Sequence, residues 1–401
     1  MYIHPPIFEL PRIIKYFLLY FRDTWRVWPK PPFGTFRTLS KMSSVWETAS
    51  SQARAMLGEF AEPSTSGQHD ITNGASERMQ RITVNVIASI GYGIQRSWAE
   101  TTIAKPPQGL TTTLWSSLLT IVHHPYLTVF VPAKILSFPL MPKAVKEIGL
   151  SKTEYPLHLQ ETIAQERRNP SSGNSLLASL VRLSEIGTSQ TSKQSAFLTD
   201  EEITGNLYGM TIAGFDSTAA TLSYALMMLV IEPKRQEWII EEVDEVLKLS
   251  LGSDYSTVFA RLPRCLALMY ETLRLCGPIP NSARQVFAPQ DIEDKHFPPG
   301  TIIQISSPDI HTNPEIWGVD AEEFRPSRWL KDDGKLHEPA PGEFLPWSFG
   351  PRLCPGIKMS QVEFLATMWE IFCGWRIEIV QREGETVEDA RKRAGALVED
   401  S

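Results

Sequence analysis

A mainly α fold with minor β, held in a single large domain, is predicted for these 401 residues by three observations. Apolar residues recur every three to four positions through most of the chain, the period of helices that bury one face. Extended runs are few and short. The Ser/Thr/Gly-rich gaps at 62–75 and 170–197 read as surface loops, not domain linkers. With 42% apolar and 10% aromatic residues the chain can bury a large core, so general disorder is excluded.

In chain order the periodicity predicts helices over 44–60, 76–92, 109–123, 142–168, 201–231, 233–249, 263–276 and 357–373, with Asp or Thr before acidic first turns. Gly300 to Ile305, after the turn Pro298-Pro299-Gly300, and Arg376 to Val380 read as strands from their alternation and β-branching. There is no internal repeat, and the C-terminal half is denser in Pro, Trp and Arg. Ile13 to Phe21 is apolar but short, interrupted by Lys15 and preceded by Pro5, Pro6 and Pro11. A spanning helix needs about 20 apolar residues, so residues 1–24 read as an atypical segment without a full membrane anchor. A core-facing helix is the reading for the apolar run, with membrane-surface contact as the alternative.

A net charge of −7 and the lack of a concentrated basic face argue against nucleic acid as a partner. The four cysteines, Cys265, Cys276, Cys354 and Cys373, form no C-x-x-C pair, which disfavours a disulfide framework or a zinc site and fits a reducing setting.

One of those cysteines has unusual neighbours. Cys354 lies in FLPWSFGPRLCPG between Gly350 and Gly356, with Arg352 two residues before it and an apolar helical run after it. Glycines on both sides permit turns that leave amide N–H groups free to point at the sulfur and favour its anion. A second constellation is Glu271 to Arg274 (ETLR), whose ends share a helix face and can form a local ion pair. A third is AGFDST, Ala213 to Thr218, which puts a small gap and polar groups at the middle of a long apolar helix.

The spacing G-x-R-x-C-x-G from Gly350 to Gly356 resembles the heme-binding signature of the cytochrome P450 family. That resemblance implies that residues 25–401 form a cytochrome P450 domain and that Cys354 is the axial thiolate of heme iron. It also implies that Arg352 meets a heme propionate. The family pattern has Phe three residues before the first Gly, where this chain has Trp347, so an aromatic shield remains while the tuning of the sulfur shifts. FRPSRW, Phe324 to Trp329, resembles the family's second arginine motif and implies a buried network of Glu271, Arg274 and Arg328 that fixes the core around the Cys loop. AGFDST resembles the oxygen-activating helix, with Gly214 making room above the heme, Asp216 as the proton relay, Ser217 at the usual Thr position and Thr218 as a stand-in.

Further matches follow. Ser282-Ala283-Arg284 matches a pocket-lining segment that sends Arg284 to a propionate. His311 to Pro314 and Trp317-Gly318 match a short helix and turn that carry no chemistry. Trp25 to Lys30 is similar to the remnant of a helix that supplies a Trp and a basic residue, with Pro29 in the basic place and Lys30 beside it. Tyr126 to Pro142 matches a lid, packed on the core or dipping into a membrane surface. PWSFGPRLCPG with KMSQVEF is similar to fungal members that decorate secondary metabolites.

The resemblance therefore implies a heme-dependent monooxygenase that hydroxylates, epoxidises or further oxidises a lipophilic small molecule. Its electrons come from NADPH through a separate flavoprotein, NADPH-cytochrome P450 reductase, since the chain has no flavin or dinucleotide glycine motif. The endoplasmic reticulum membrane is the family's usual place, with a cytoplasmic or peripheral position open to a chain lacking a clear anchor. The chain is read as shortened at both ends. Two alternatives stay open: a heme-thiolate isomerase or dehydratase working without a reductase, and a truncated non-catalytic member.

Overall fold

Capping residues and prolines written into the chain set where its helices begin. The computed structural model describes residues 39–61, 74–99, 106–170, 175–189, 198–249, 252, 254–350 and 353–399. The expectations for Ile13 to Phe21, Trp25 to Lys30 and Arg352 lie outside these residues. Contacts divide the chain into two units, one of residues 1–41 and 85–216 and the other of 42–84 and 217–401. Three helices run through the divisions: α1 (Leu39–Ala61), α2 (Ala75–Ile87) and α8 (Asp200–Ile231).

In the first unit a π-helical turn, Ala88–Tyr92, continues α2 and is closed by Gly93 in the left-handed region at φ 74°. Then come α3 (Leu114–His123), α4 (Pro125–Phe130), α5 (Ala133–Leu136), α6 (Lys143–Arg168) and α7 (Leu176–Ser189). Thr113 caps α3 through the N–H of Ser116, which answers in a capping box, so the predicted helix 109–123 starts at 114. Glu154 of α6 accepts the N–H groups of Thr111 at 3.0 Å and Thr112 at 2.7 Å, pinning the entry to α3. A Cβ on Gly149 would sit 2.8 Å from Leu136 Cβ, so a glycine is what lets α6 pass against the end of α5. Helix α7 overturns the loop expected over 170–197: Leu176, Leu177, Leu180 and Val181 give it one buried face inside a polar-rich stretch.

The second unit adds α9 (Pro233–Lys248), α10 (Tyr255–Val258), α11 (Pro263–Leu275), α12 (Ser307–His311), α13 (Pro314–Trp317), α14 (Ile357–Phe372) and α15 (Val387–Glu399). Pro233 and Pro263 open α9 and α11, where a missing N–H costs nothing. Helices α11 and α14 pack together, and both bury apolar residues, Leu268 on α11 and Phe364, Leu365 and Met368 on α14. Two small antiparallel sheets follow α11. Strand β1 (Asn281–Gln285) pairs with β4 (Ile302–Ser306) so that Arg284 faces Ile303, and β2 (Gln290–Ile292) pairs with β3 (Lys295–Phe297).

The strand expected at Arg376 to Val380 does not form. Ile377 instead donates its N–H to Gln236 Oε1 at 2.9 Å and accepts from Gln236 Nε2 at 2.9 Å, so one side-chain amide from α9 does the work of a neighbouring strand. Helix α8 is the one described helix long and apolar enough to cross a membrane. Leu222, Ala225 and Leu229 in its second half are fully buried, as in a core helix.

Candidate functional site

The loop from Phe344 to Gly356 feeds directly into α14, and its turns are tight. Gly350 sits at φ 72° with open space around its absent Cβ, so conformation is what requires glycine there. Ser348 also takes a positive φ of 63°, an uncommon state for a residue with a side chain. Gly356 differs from expectation. Its φ is −85°, which any residue adopts, and a Cβ there would lie 3.7 Å from Cys354 Sγ. At that distance a Cβ would make an ordinary contact with the sulfur, so neither a forbidden turn nor a clash requires glycine at 356.

Cys354 is a free thiol held by its own backbone, its N–H donating to Trp347 O at 2.9 Å. Burial pushes the thiol above its ordinary value, while the N–H groups of Gly356 and Ile357 hydrogen-bond to the sulfur and pull it back toward the anion. Those amides belong to the first turn of α14, where the helix dipole adds to the same preference. Phe349 and Leu353 beside the thiol stay exposed, giving the loop an apolar surface. The Trp347 ring packs edge-on against Tyr270 at 5.6 Å and against Phe344 at 6.0 Å.

Beneath this loop lies a charge network buried throughout. Glu271 and Arg274, both inaccessible to solvent, are joined by two hydrogen bonds of 2.9 Å. Arg328 Nε reaches Glu271 Oε1 at 3.0 Å, and Trp329 Nε1 reaches Oε2 at 2.8 Å. The Arg274 guanidinium also donates to the carbonyls of His311, Ala321 and Glu323. The three charges expected to meet do meet, with their remaining lone pairs and protons satisfied. Around them Tyr270, Trp317, Trp329 and Phe344 form an aromatic cluster that the sequence reading did not assemble.

Arg284 projects from β1 to the same loop, its Nη2 donating to Ser348 Oγ at 2.7 Å and its Nη1 to Ser282 Oγ at 2.7 Å. On α8 the polar residues divide. Asp216 is exposed and Ser217 half-buried, whereas Thr218 is only 5% exposed. A Cβ on Gly214 would approach Ile87 Cδ1 to 3.3 Å, so close packing on Ile87 gives this glycine a reason of its own.

The family model described as cytochrome P450 matches residues 16–399. The chain belongs to the cytochrome P450 family. It is 28% identical over 396 residues to a phomenoic acid biosynthesis cluster cytochrome P450 monooxygenase of Leptosphaeria maculans, covering 89% of this chain and 67% of that protein. A cytochrome P450 monooxygenase of Arthrobotrys oligospora is 25% identical, over 99% of this chain and 75% of the other. Among solved structures, a cytochrome P450 heme domain superposes with a TM-score of 0.68 over 94% of this chain and 80% of its own, at 20% identity, a likeness of fold.

Cytochromes P450 are oxidoreductases whose cofactor is heme, its iron held by a cysteine thiolate. The residues present fit that group. They offer one free thiol with two amide donors on its sulfur, a helix N-terminus behind it and an apolar surface from Phe349 and Leu353 beside it.

Proposed function

We propose that this cytochrome P450 is a heme-dependent monooxygenase acting on a lipophilic small molecule in fungal secondary metabolism, with Cys354 as the residue that would hold the heme iron. The observation that carries this reading is Cys354 itself, a free thiol whose N–H is held by Trp347 O immediately before the N-terminus of α14, where the helix dipole favours its anion. When bound, heme would supply the oxygen chemistry, in which one atom of O2 would enter the substrate and the other would leave as water, with electrons from NADPH through a flavoprotein reductase.

The chain's own residues supply the setting. The Gly356 and Ile357 amides moderate the thiolate's charge, and Trp347 shields it. Arg284, steadied by Ser282 and Ser348, takes one heme propionate. Arg352 takes the other by its place in the motif. On α8, exposed Asp216 would carry protons and half-buried Ser217 would offer a hydroxyl to the reaction. Buried Thr218 is the weaker partner for that task.

The names of similar proteins support a role in secondary metabolism, the Leptosphaeria maculans relative belonging to a phomenoic acid biosynthesis cluster. Exposed Tyr126, Ile135, Phe138 and Leu140 support peripheral contact with a membrane, the route by which a greasy substrate would arrive.

The test is the spectrum of the reduced, carbon-monoxide-bound protein. A thiolate-type Soret shift in the wild type that vanishes in Cys354→Ala supports the reading, and its absence from heme-loaded wild type would sink it. Turnover that persists without NADPH and reductase would favour an isomerase or dehydratase. Spectral titration with terpenoid, polyketide and alkaloid scaffolds then identifies the substrate class.

A further inference from the structure

Outside the residues that touch cofactor or substrate, one buried side chain has both of its polar atoms committed to segments far apart in sequence. His311, the last residue of α12, is 2% exposed. Its Nδ1 lies 3.1 Å from the carbonyl oxygen of Arg274, and its Nε2 lies 2.9 Å from the backbone nitrogen of Leu345. A carbonyl only accepts and an N–H only donates, so the proton sits on Nδ1 and Nε2 is the acceptor. The ring is then neutral, in keeping with burial that pushes its pKa down to about 4. A second tie runs the other way, from Arg274 Nη1 to the His311 carbonyl at 2.6 Å.

These bonds bridge two parts of the molecule. On one side stands the Glu271–Arg274–Arg328 network. On the other is Leu345, near the start of the segment that leads to Cys354. From Leu345 the loop is held in steps. Ser348 donates its N–H to Leu345 O at 3.1 Å, and Cys354 donates its own to Trp347 O at 2.9 Å. Phe344, adjacent to Leu345, packs against the His311 ring at 5.3 Å and against Trp329 at 4.6 Å.

We propose that His311 is a positioning residue that couples the buried charge network to the cysteine loop, so that the placement of the Cys354 sulfur depends on its Nε2 accepting from Leu345. The inference rests on the reading of Cys354 as heme ligand, and it assigns a task to a residue in a segment otherwise devoid of chemistry. A merely space-filling histidine would tolerate any side chain of similar volume. A coupling histidine tolerates only one that keeps the acceptor at the Nε2 position.

The substitutions that separate these roles are His311→Gln, whose amide oxygen reaches the Nε2 position, His311→Asn, which keeps a donor for Arg274 O but stops short of Leu345, and His311→Phe, which keeps volume alone. Two readouts on the full chain apply. Hydrogen exchange measured without added heme should show the segment 345–356 opening roughly tenfold faster in His311→Asn and His311→Phe than in wild type, with His311→Gln near wild type. In the heme-loaded, reduced carbon-monoxide complex, the same two variants should raise the fraction absorbing as a thiol-ligated species, again with recovery in His311→Gln. Equal exchange in that segment across all three variants and wild type overturns the proposal, as does uniform loosening that Gln fails to rescue. A wild type without a thiolate-type band defeats the ligand reading instead, and the exchange measurement still decides the coupling.

Discussion

The network around Glu271 and the middle of α8 are both polar islands in apolar surroundings, yet they are built in opposite ways. At Glu271 the two carboxylate oxygens accept from two arginines, one indole and the Arg325 N–H, and water has no access. On α8, Asp216 is exposed and Ser217 half-buried. The two regions are therefore constrained in different ways. A closed network stabilises one arrangement of the chain and is costly to disturb, whereas an acid that solvent reaches is cheap to keep.

That contrast yields a ranked set of tests. Glu271→Gln should have the largest effect. It removes the negative charge while leaving Arg274 and Arg328 buried, so unfolding in urea should show a loss of about 3–5 kcal/mol or no folded protein at all. A loss below about 1 kcal/mol would mean that water enters the network.

Acid should attack the same region through His311. Its folded pKa is about 4 against an ordinary 6.5, so the unfolded chain binds the extra proton between those values. The associated stability is fully present above pH 6.5 and is lost as pH falls toward 4, by at most about 3 kcal/mol. Comparing urea midpoints of wild type and His311→Gln across that window isolates this share from the carboxylates that titrate alongside, and the variant should fall less steeply.

The smallest change in stability belongs to Asp216→Asn. Its unfolding free energy should stay within about 0.5 kcal/mol of wild type, and its thiolate-type spectrum should be unchanged. Its kcat should nonetheless drop by about 10²-fold or more if the carboxylate moves protons. Full turnover in Asp216→Asn would leave α8 as an ordinary core helix with a solvated acid.

Much of this was legible beforehand, for physical reasons that differ by element. The long helices announced themselves because a buried face repeats every three to four residues, and α11 and α14 lie within a residue or two of their expected bounds. That Cys354 lies in a turned loop running straight into a helix was legible because those features are local in sequence. Strands β1, β2 and β3 were missed because three to five residues with largely accessible faces carry no alternation of hydrophobicity. Helix α7 was hidden by the serines and threonines around its apolar positions. His311 was illegible for a deeper reason. Its partners are backbone groups 37 residues before it and 34 after it, and backbone groups leave no trace in composition.

Among the described residues, Ile377 is held by the side-chain amide of Gln236 alone, not by a neighbouring strand. Two strands in a ladder can slide by two residues and find equivalent partners, so their alignment must be fixed by side chains or turns elsewhere. A segment caught by one amide has a single alignment, because only one residue on α9 presents a donor and an acceptor in the right order. The path of the chain toward α15 is thus indexed by one glutamine, and changing that residue removes the index without altering any strand.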